Sequence, residues 1–273
     1  MSQLSILRNI FTAFFALLLS AAILTGCGRK TEEDSSSKEE SAGASEETKQ
    51  EKWVLKLEEN VKVFRSAKAD KAASYIAERF PEGKVAFLIE DVFYNDPDSE
   101  YRILLDAIRR RLAENGIDCD TVLTIKTSEN EIGAGNKSRD PESVFVANLN
   151  KALLDVVRDN VDIVVNFVGL PKSVRGVQDV RSLRGASSAG KNNMLLMSDA
   201  GLAYVRPSMI ESGRVSAIVD YVNSNGPASQ FDITKDTAPK DPDEAFDYLY
   251  FFLKADTLDA FIADGNEDYF VQK

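Results

Sequence analysis

The sequence predicts an α/β domain with a mostly parallel sheet and helices on both faces. Two observations carry that reading. Five short apolar runs alternate along the chain with segments whose apolar residues recur at helical spacing, the rhythm of strand-helix-strand units wound in one direction. The stretch from Trp53 to the end at Lys273 is also long enough to bury a substantial core, sufficient for one large domain or two small ones.

Taken in order, Trp53 to Leu57 reads as an edge strand or the point where a tether joins the domain, and Ala67 to Phe80 as a helix. After Pro81-Glu82-Gly83, the run Lys84-Val85-Ala86-Phe87-Leu88-Ile89 is apolar and short, as a buried strand is. Asp96-Pro97 offers a cap followed by proline at the first helical position. Tyr101, Leu104, Leu105, Ile108 and Leu112 then fall on one helical face until Gly116. Thr121 to Ile125 is the second strand. A polar loop containing Gly133-Ala134-Gly135 follows, and a helix opens after Asp140-Pro141 with Phe145, Leu149, Leu153, Val156 and Val157 on one side. The third strand is Val161 to Val168, closed by Gly169-Leu170-Pro171. Val174, Val177, Val180 and Leu183 suggest a short surface helix within 172–191. Met194 to Met197 is the fourth strand, Leu202 to Ser212 a helix, and Val215 to Val219 the fifth strand. Tyr248 to Leu253 fits a sixth strand, although Asp241-Pro242-Asp243-Glu244 just before it equally opens a helix.

The N-terminus is organised differently. Arg8 precedes an almost wholly apolar run, Ile10 to Leu24, which has the proportions of a signal-peptide core and is short for a membrane-spanning helix. It ends in Leu24-Thr25-Gly26-Cys27. That tetrad resembles the lipobox of bacterial lipoproteins. The resemblance implies cleavage before Cys27, a lipid on its thiol, and residence on the extracytoplasmic face of the cell membrane or the outer membrane. Residues 1–27 are thus the expected signal with lipidated Cys27. Residues 28–52, rich in Ser, Glu and Lys, are the expected disordered acidic tether, and 53–273 the α/β domain.

Composition excludes several function classes. A formal net charge of -11 opposes nucleic-acid binding, which needs clustered Lys and Arg against phosphates. It also opposes lying flat on anionic lipid, leaving the lipid on Cys27 as the membrane contact. The chain has no histidine, which removes Ser-His and Cys-His hydrolase arrangements and His-ligated metal. With Cys27 used by the signal, Cys119 stands alone. An internal disulfide is then impossible, and Cys119 is expected to pack as a small hydrophobe. Gly133-Ala134-Gly135-Asn136-Lys137-Ser138 lacks the ending and spacing of a phosphate loop and reads as a plain loop. No cofactor or metal is implied.

Val85 to Gly116 resembles the opening of type I periplasmic solute-binding proteins: a strand, a polar-aromatic loop and a long helix ending in Asn115-Gly116. Met209 to Val219 is similar to their later step, in which a helix closes on glycine, here Gly213, and leads into a strand. The resemblance implies a Rossmann-like domain that holds a small polar solute. The chain departs from the family in length, so the domain is expected to be one lobe or two minimal lobes.

Ligands of open parallel sheets sit beyond the carboxyl ends of the strands, where the loops diverge. Applied here, the rule collects Glu90, Asp91, Tyr94 and Asn95 after the first strand, Asn166 and Gly169 after the third, Ser198 and Asp199 after the fourth, and Asp220 and Tyr221 after the fifth. Carboxylates hydrogen-bond sugar hydroxyls or balance ammonium groups, and aromatic faces stack on sugar rings. The same residue types also cap helices and solvate loop ends. Binding of a small polar solute without catalysis is therefore the first expectation, with a transporter or another envelope protein as partner. A second is a scaffold lipoprotein contacting envelope proteins through the basic run Lys172, Arg175, Arg181, Arg184 and Lys191. A third is a hydrolase using Asp91 and Asp199 as acid and base.

Overall fold

The computed structural model describes residues 40–126, 140–171, 173–180, 193–197, 205–221, 232–233, 235–266 and 269–270. The chain divides into two compact units, one of residues 1–59 with 223–237 and one of residues 60–222 with 238–273.

Helix α1 runs from Glu40 to Arg79. It overturns the edge-strand reading of Trp53 to Leu57 and begins inside the segment read as a tether. From Ala44 to Arg79 the chain has neither glycine nor proline and is rich in Ala, Glu and Lys, so nothing interrupts helix propagation once the C-terminal half is packed. Pro81 sets its end, because a residue before proline is pushed out of helical geometry. In the smaller unit, Lys56 Nζ donates to Thr237 Oγ1 at 2.8 Å, and Lys235 pairs with Asp232 at 2.6 Å.

The larger unit holds a six-stranded sheet in the order β2-β1-β3-β4-β5-β6. Its strands are β1 (Lys84–Glu90), β2 (Asp118–Ile125), β3 (Ile163–Asn166), β4 (Asn193–Leu196), β5 (Ala217–Tyr221) and β6 (Tyr250–Lys254). The first five pair in parallel and β6 pairs antiparallel with β5. The α/β reading with a mostly parallel sheet holds. The helices after α1 are α2 (Asp91–Tyr94), α3 (Glu100–Glu114), α4 (Pro141–Arg158), α5 (Val174–Asp179), α6 (Pro207–Glu211), α7 (Pro242–Leu249) and α8 (Ala255–Phe261).

Three of the boundaries that differ from the sequence reading have local causes. Helix α3 starts at Glu100 rather than at Pro97, because Asp96 closes a turn: its Oδ1 accepts from Asp98 N at 3.0 Å and its carbonyl from Ser99 N at 3.1 Å. Strand β5 begins at Ala217, because Val215 N still donates to Met209 O at 3.0 Å and closes α6 around Gly213, whose φ is 72°. Both readings of the C-terminal segment are realised in succession. Asp241 caps α7, accepting from Asp243 N and Glu244 N at 3.0 Å each, and the chain enters β6 directly afterwards.

Alternation along the strands separates two cores. Ala86, Leu88, Val164, Met194, Leu196 and Ile218 pack with Leu149, Leu153 and Val156 of α4, with Met209 and Ile210 of α6, and with Leu258 of α8. The opposite face presents Val85, Phe87, Ile89, Val165, Leu195 and Val219, all fully buried. Helices α1 and α3 are tied together by Arg111, whose Nε donates to Asp70 and whose Nη2 donates to Ser66 Oγ at 2.9 Å. Cys119 is buried in β2, as expected of a small hydrophobe, and burial pushes its thiol pKa up.

Candidate functional site

The strand order places the switch point between β1 and β3, where the chain reverses its direction of winding. Leu88 is level with Asn166, Asn166 with Leu196, and Leu196 with Ile218. Two residues beyond that row, on the same face by alternation, stand Glu90 at the end of β1 and Asp220 in β5. A line of polar side chains, Glu90, Asn166 and Asp220, thus edges the α4 side of the sheet at its carboxyl end.

Asn166 is fully buried and its amide is absorbed by the chain itself. Its Oδ1 accepts from Val168 N at 2.8 Å and Gly169 N at 3.0 Å, while Nδ2 donates to Gly169 O at 3.0 Å. Gly169 adopts φ 84°, the left-handed geometry that lets this turn fold back on the amide. The pair shapes the crevice rather than offering it donors.

After β1, Asn95 Nδ2 donates to Asp91 O at 2.9 Å and Asp91 Oδ1 at 3.1 Å, which fixes the short α2 turn. The Tyr94 ring lies under the Arg102 guanidinium, 4.3 Å from carbon to centroid, and its carbonyl accepts from Arg102 Nη1 at 2.8 Å. The hydrogen bond that Arg102 donates to Asp106, against the opposing effect of burial, raises the Arg102 pKa above its ordinary value. Phe93 of α2, Tyr101 of α3 and Phe167 just after β3 pack in series, with ring centroids 5.0 Å apart for the first pair and 6.5 Å for the second. Phe167 N donates to Leu88 O at 2.8 Å, stitching the turn to the strand.

Asp220 and Tyr221 are the last residues of β5, not a loop beyond it. Asp220 is buried, and its Oδ1 accepts from Tyr221 N at 2.8 Å. Tyr221 faces the other side, toward α1. There it packs against Tyr250 at 5.0 Å, and Lys68 Nζ lies 5.2 Å from the Tyr221 ring centroid and 4.9 Å from that of Tyr250.

The expected set therefore separates. Glu90 ends β1, and Asp91, Tyr94 and Asn95 form the short α2 turn directly after it, beside the Asn166-Gly169 turn. Asp220 and Tyr221 lie three strand positions from β1, or about 14 Å at the usual strand spacing. Ser198, Asp199, Arg181, Arg184, Lys172, Lys191 and the 133–138 loop lie outside the described residues. Sequence reading missed Lys68 and Tyr250. Lys68 follows Phe64 by four residues, so a lysine on the apolar stripe of α1 was the available signal. Among the described residues no cluster of His, Cys, Asp and Glu could hold a metal ion, and no helix is long and apolar enough to cross a membrane.

No protein-family model matches the chain, and no curated protein does. Solved structures to which it is similar are solute-binding proteins of ABC transporters. A sugar-binding protein from Bacillus halodurans shares 14% identity at a TM-score of 0.44, covering 73% of this chain and 64% of its own. An arabinose-binding protein from Geobacillus stearothermophilus shares 13% at 0.41, covering 72% and 63%. A protein from Burkholderia graminis in complex with D-arabinose shares 16% at 0.36, covering 74% and 54%. The chain thus spans less than two thirds of each of these proteins.

Proposed function

We propose that the chain is an exported lipoprotein, anchored by lipid on Cys27, whose α/β domain binds a small polar solute at the carboxyl edge of its sheet and performs no chemistry on it. The observation that carries this reading is the pair of half-buried carboxylates Glu90 and Asp91 at the end of β1, beside the switch point and the Asn166-Gly169 turn, with Asp220 level with Glu90 farther along the same edge. Carboxylates held at a strand end and on the short helix after it give directional acceptors to hydroxyl or ammonium groups. Glu90 and Asp91 are half-buried, positions from which carboxylates can exchange water for a ligand without a large desolvation cost. An extracytoplasmic location follows from the Leu24-Thr25-Gly26-Cys27 tetrad, and a transporter would be the natural partner of a tethered solute binder.

The test is thermal denaturation of the full chain in detergent micelles against pentoses, hexoses, amino acids and polyols. A ligand at one hundred times its dissociation constant stabilises the native state by about 2.7 kcal/mol, a rise of roughly 5–10 °C for a domain of this size. Glu90→Gln with Asp91→Asn should abolish the rise. A hit that survives both substitutions would move the binding site elsewhere.

A further inference from the structure

A cavity of about 910 Å³ lies along β6, between that strand, α7 and the C-terminal half of α1. It belongs to none of the residues collected at the carboxyl edge, and it is of a size that suits a small organic ligand. Its floor is aromatic: Tyr75 and Phe252 pack with ring centroids 5.0 Å apart, and the Tyr75 hydroxyl is held by Ser216. Both are half-buried, so ring surface faces the cavity.

The charges around this floor are unequal. Four carboxylates line it, Asp70, Glu78, Asp243 and Asp247, against two lysines, Lys71 and Lys254. Both lysines are already engaged, Lys71 with Asp243 at 3.0 Å and Lys254 with Asp256 at 3.0 Å. Asp70 is taken by Arg111. Asp247 and Glu78 make no hydrogen bond or ion pair among the described residues. The cavity thus joins an aromatic floor to two exposed carboxylates that have no protein partner among the described residues, and its cations are already neutralised. An anion would meet repulsion there, and a neutral sugar would gain hydrogen bonds to the carboxylates but none of the charge attraction that a cation gains. An alkyl chain carrying ammonium groups would cover the rings with its methylenes and bring its charge to the ring faces and the carboxylates.

We propose that this cavity is a second site, for a small aliphatic polyamine, with Tyr75 and Phe252 as the stacking floor and Asp247 and Glu78 as the charge partners. It is independent of the carboxyl-edge reading and stands if that reading fails. The experiment is calorimetric titration of the full chain in detergent micelles with spermidine, with magnesium chloride as a control for simple charge screening. Saturable spermidine binding should weaken about tenfold in Asp247→Asn with Glu78→Gln and about threefold in Phe252→Leu. It should be unchanged in Asp98→Asn with Glu114→Gln, two exposed acids elsewhere in the chain. No saturable binding, competition by magnesium at equal charge, or equal weakening by the two double variants would overturn the proposal.

Discussion

Replacing the fully buried Asn166 by alanine removes three hydrogen bonds from its turn and a weaker one to Met194 Sδ. The backbone N–H of Gly169, itself buried, loses the Asn166 Oδ1 acceptor, and leaving it unsatisfied costs about 1–3 kcal/mol. Val168 is half-buried and can recover part of its bond from water, so its share is about 0.5–1 kcal/mol. The lost donor to Gly169 O adds a similar amount, and the total comes to about 3 kcal/mol. For a domain of this length that lowers the melting temperature by roughly 6–12 °C. Differential scanning calorimetry of the variant measures it directly. A shift of less than about 2 °C would mean that the turn finds other partners and that Asn166 is not what shapes the crevice.

Other consequences are equally concrete. Gly116→Ala should cost about 1 kcal/mol in urea denaturation, because φ is 73° there while a Cβ would meet no neighbour within 4 Å. Asp241→Ala should cost about 1 kcal/mol by removing two cap bonds from α7, with Asp241→Asn retaining most of the stability. The raised Cys119 pKa sets a sign at alkaline pH. The folded thiol holds its proton where the unfolded one has lost it, so stability is unaffected below the ordinary thiol pKa and falls as pH rises past it. Cys119→Ala should remove that alkaline slope in pH-dependent denaturation. Cys27→Ser should abolish incorporation of radiolabelled fatty acid and release the chain from the membrane fraction, a result that tests the lipobox reading apart from the fold.

The strands were legible because their residues are apolar on both faces: Val85 to Ile89 and Ile163 to Val165 are fully buried, and continuous apolar runs of that length have few alternatives. Helix α3 was legible from spacing. Its start was not, since Asp96 could cap a helix or close a turn, and the choice depends on hydrogen bonds that only the folded chain makes. The N-terminal half of α1 was hidden by composition, because a polar stretch of Glu, Lys and Ser reads as solvated whether it is coil or the extension of a packed helix. The candidate site was legible as a set of strand ends but not as an arrangement. The carboxyl-edge rule named Glu90 and Asp220, whereas only the register of β1, β3, β4 and β5 places them on one face and level with each other. Tyr221 was grouped with Asp220 by adjacency, yet successive strand residues point to opposite faces, and it packs with Tyr250 under Lys68.

The most direct test of the carboxyl-edge account is isothermal titration of the full chain with the panel of pentoses, hexoses, amino acids and polyols, repeated on Glu90→Gln. A saturable heat is expected with at least one of these solutes, lost in Glu90→Gln and kept in Asp247→Asn. No heat from any of them with the folded chain, or a heat that Glu90→Gln leaves unchanged, would contradict it.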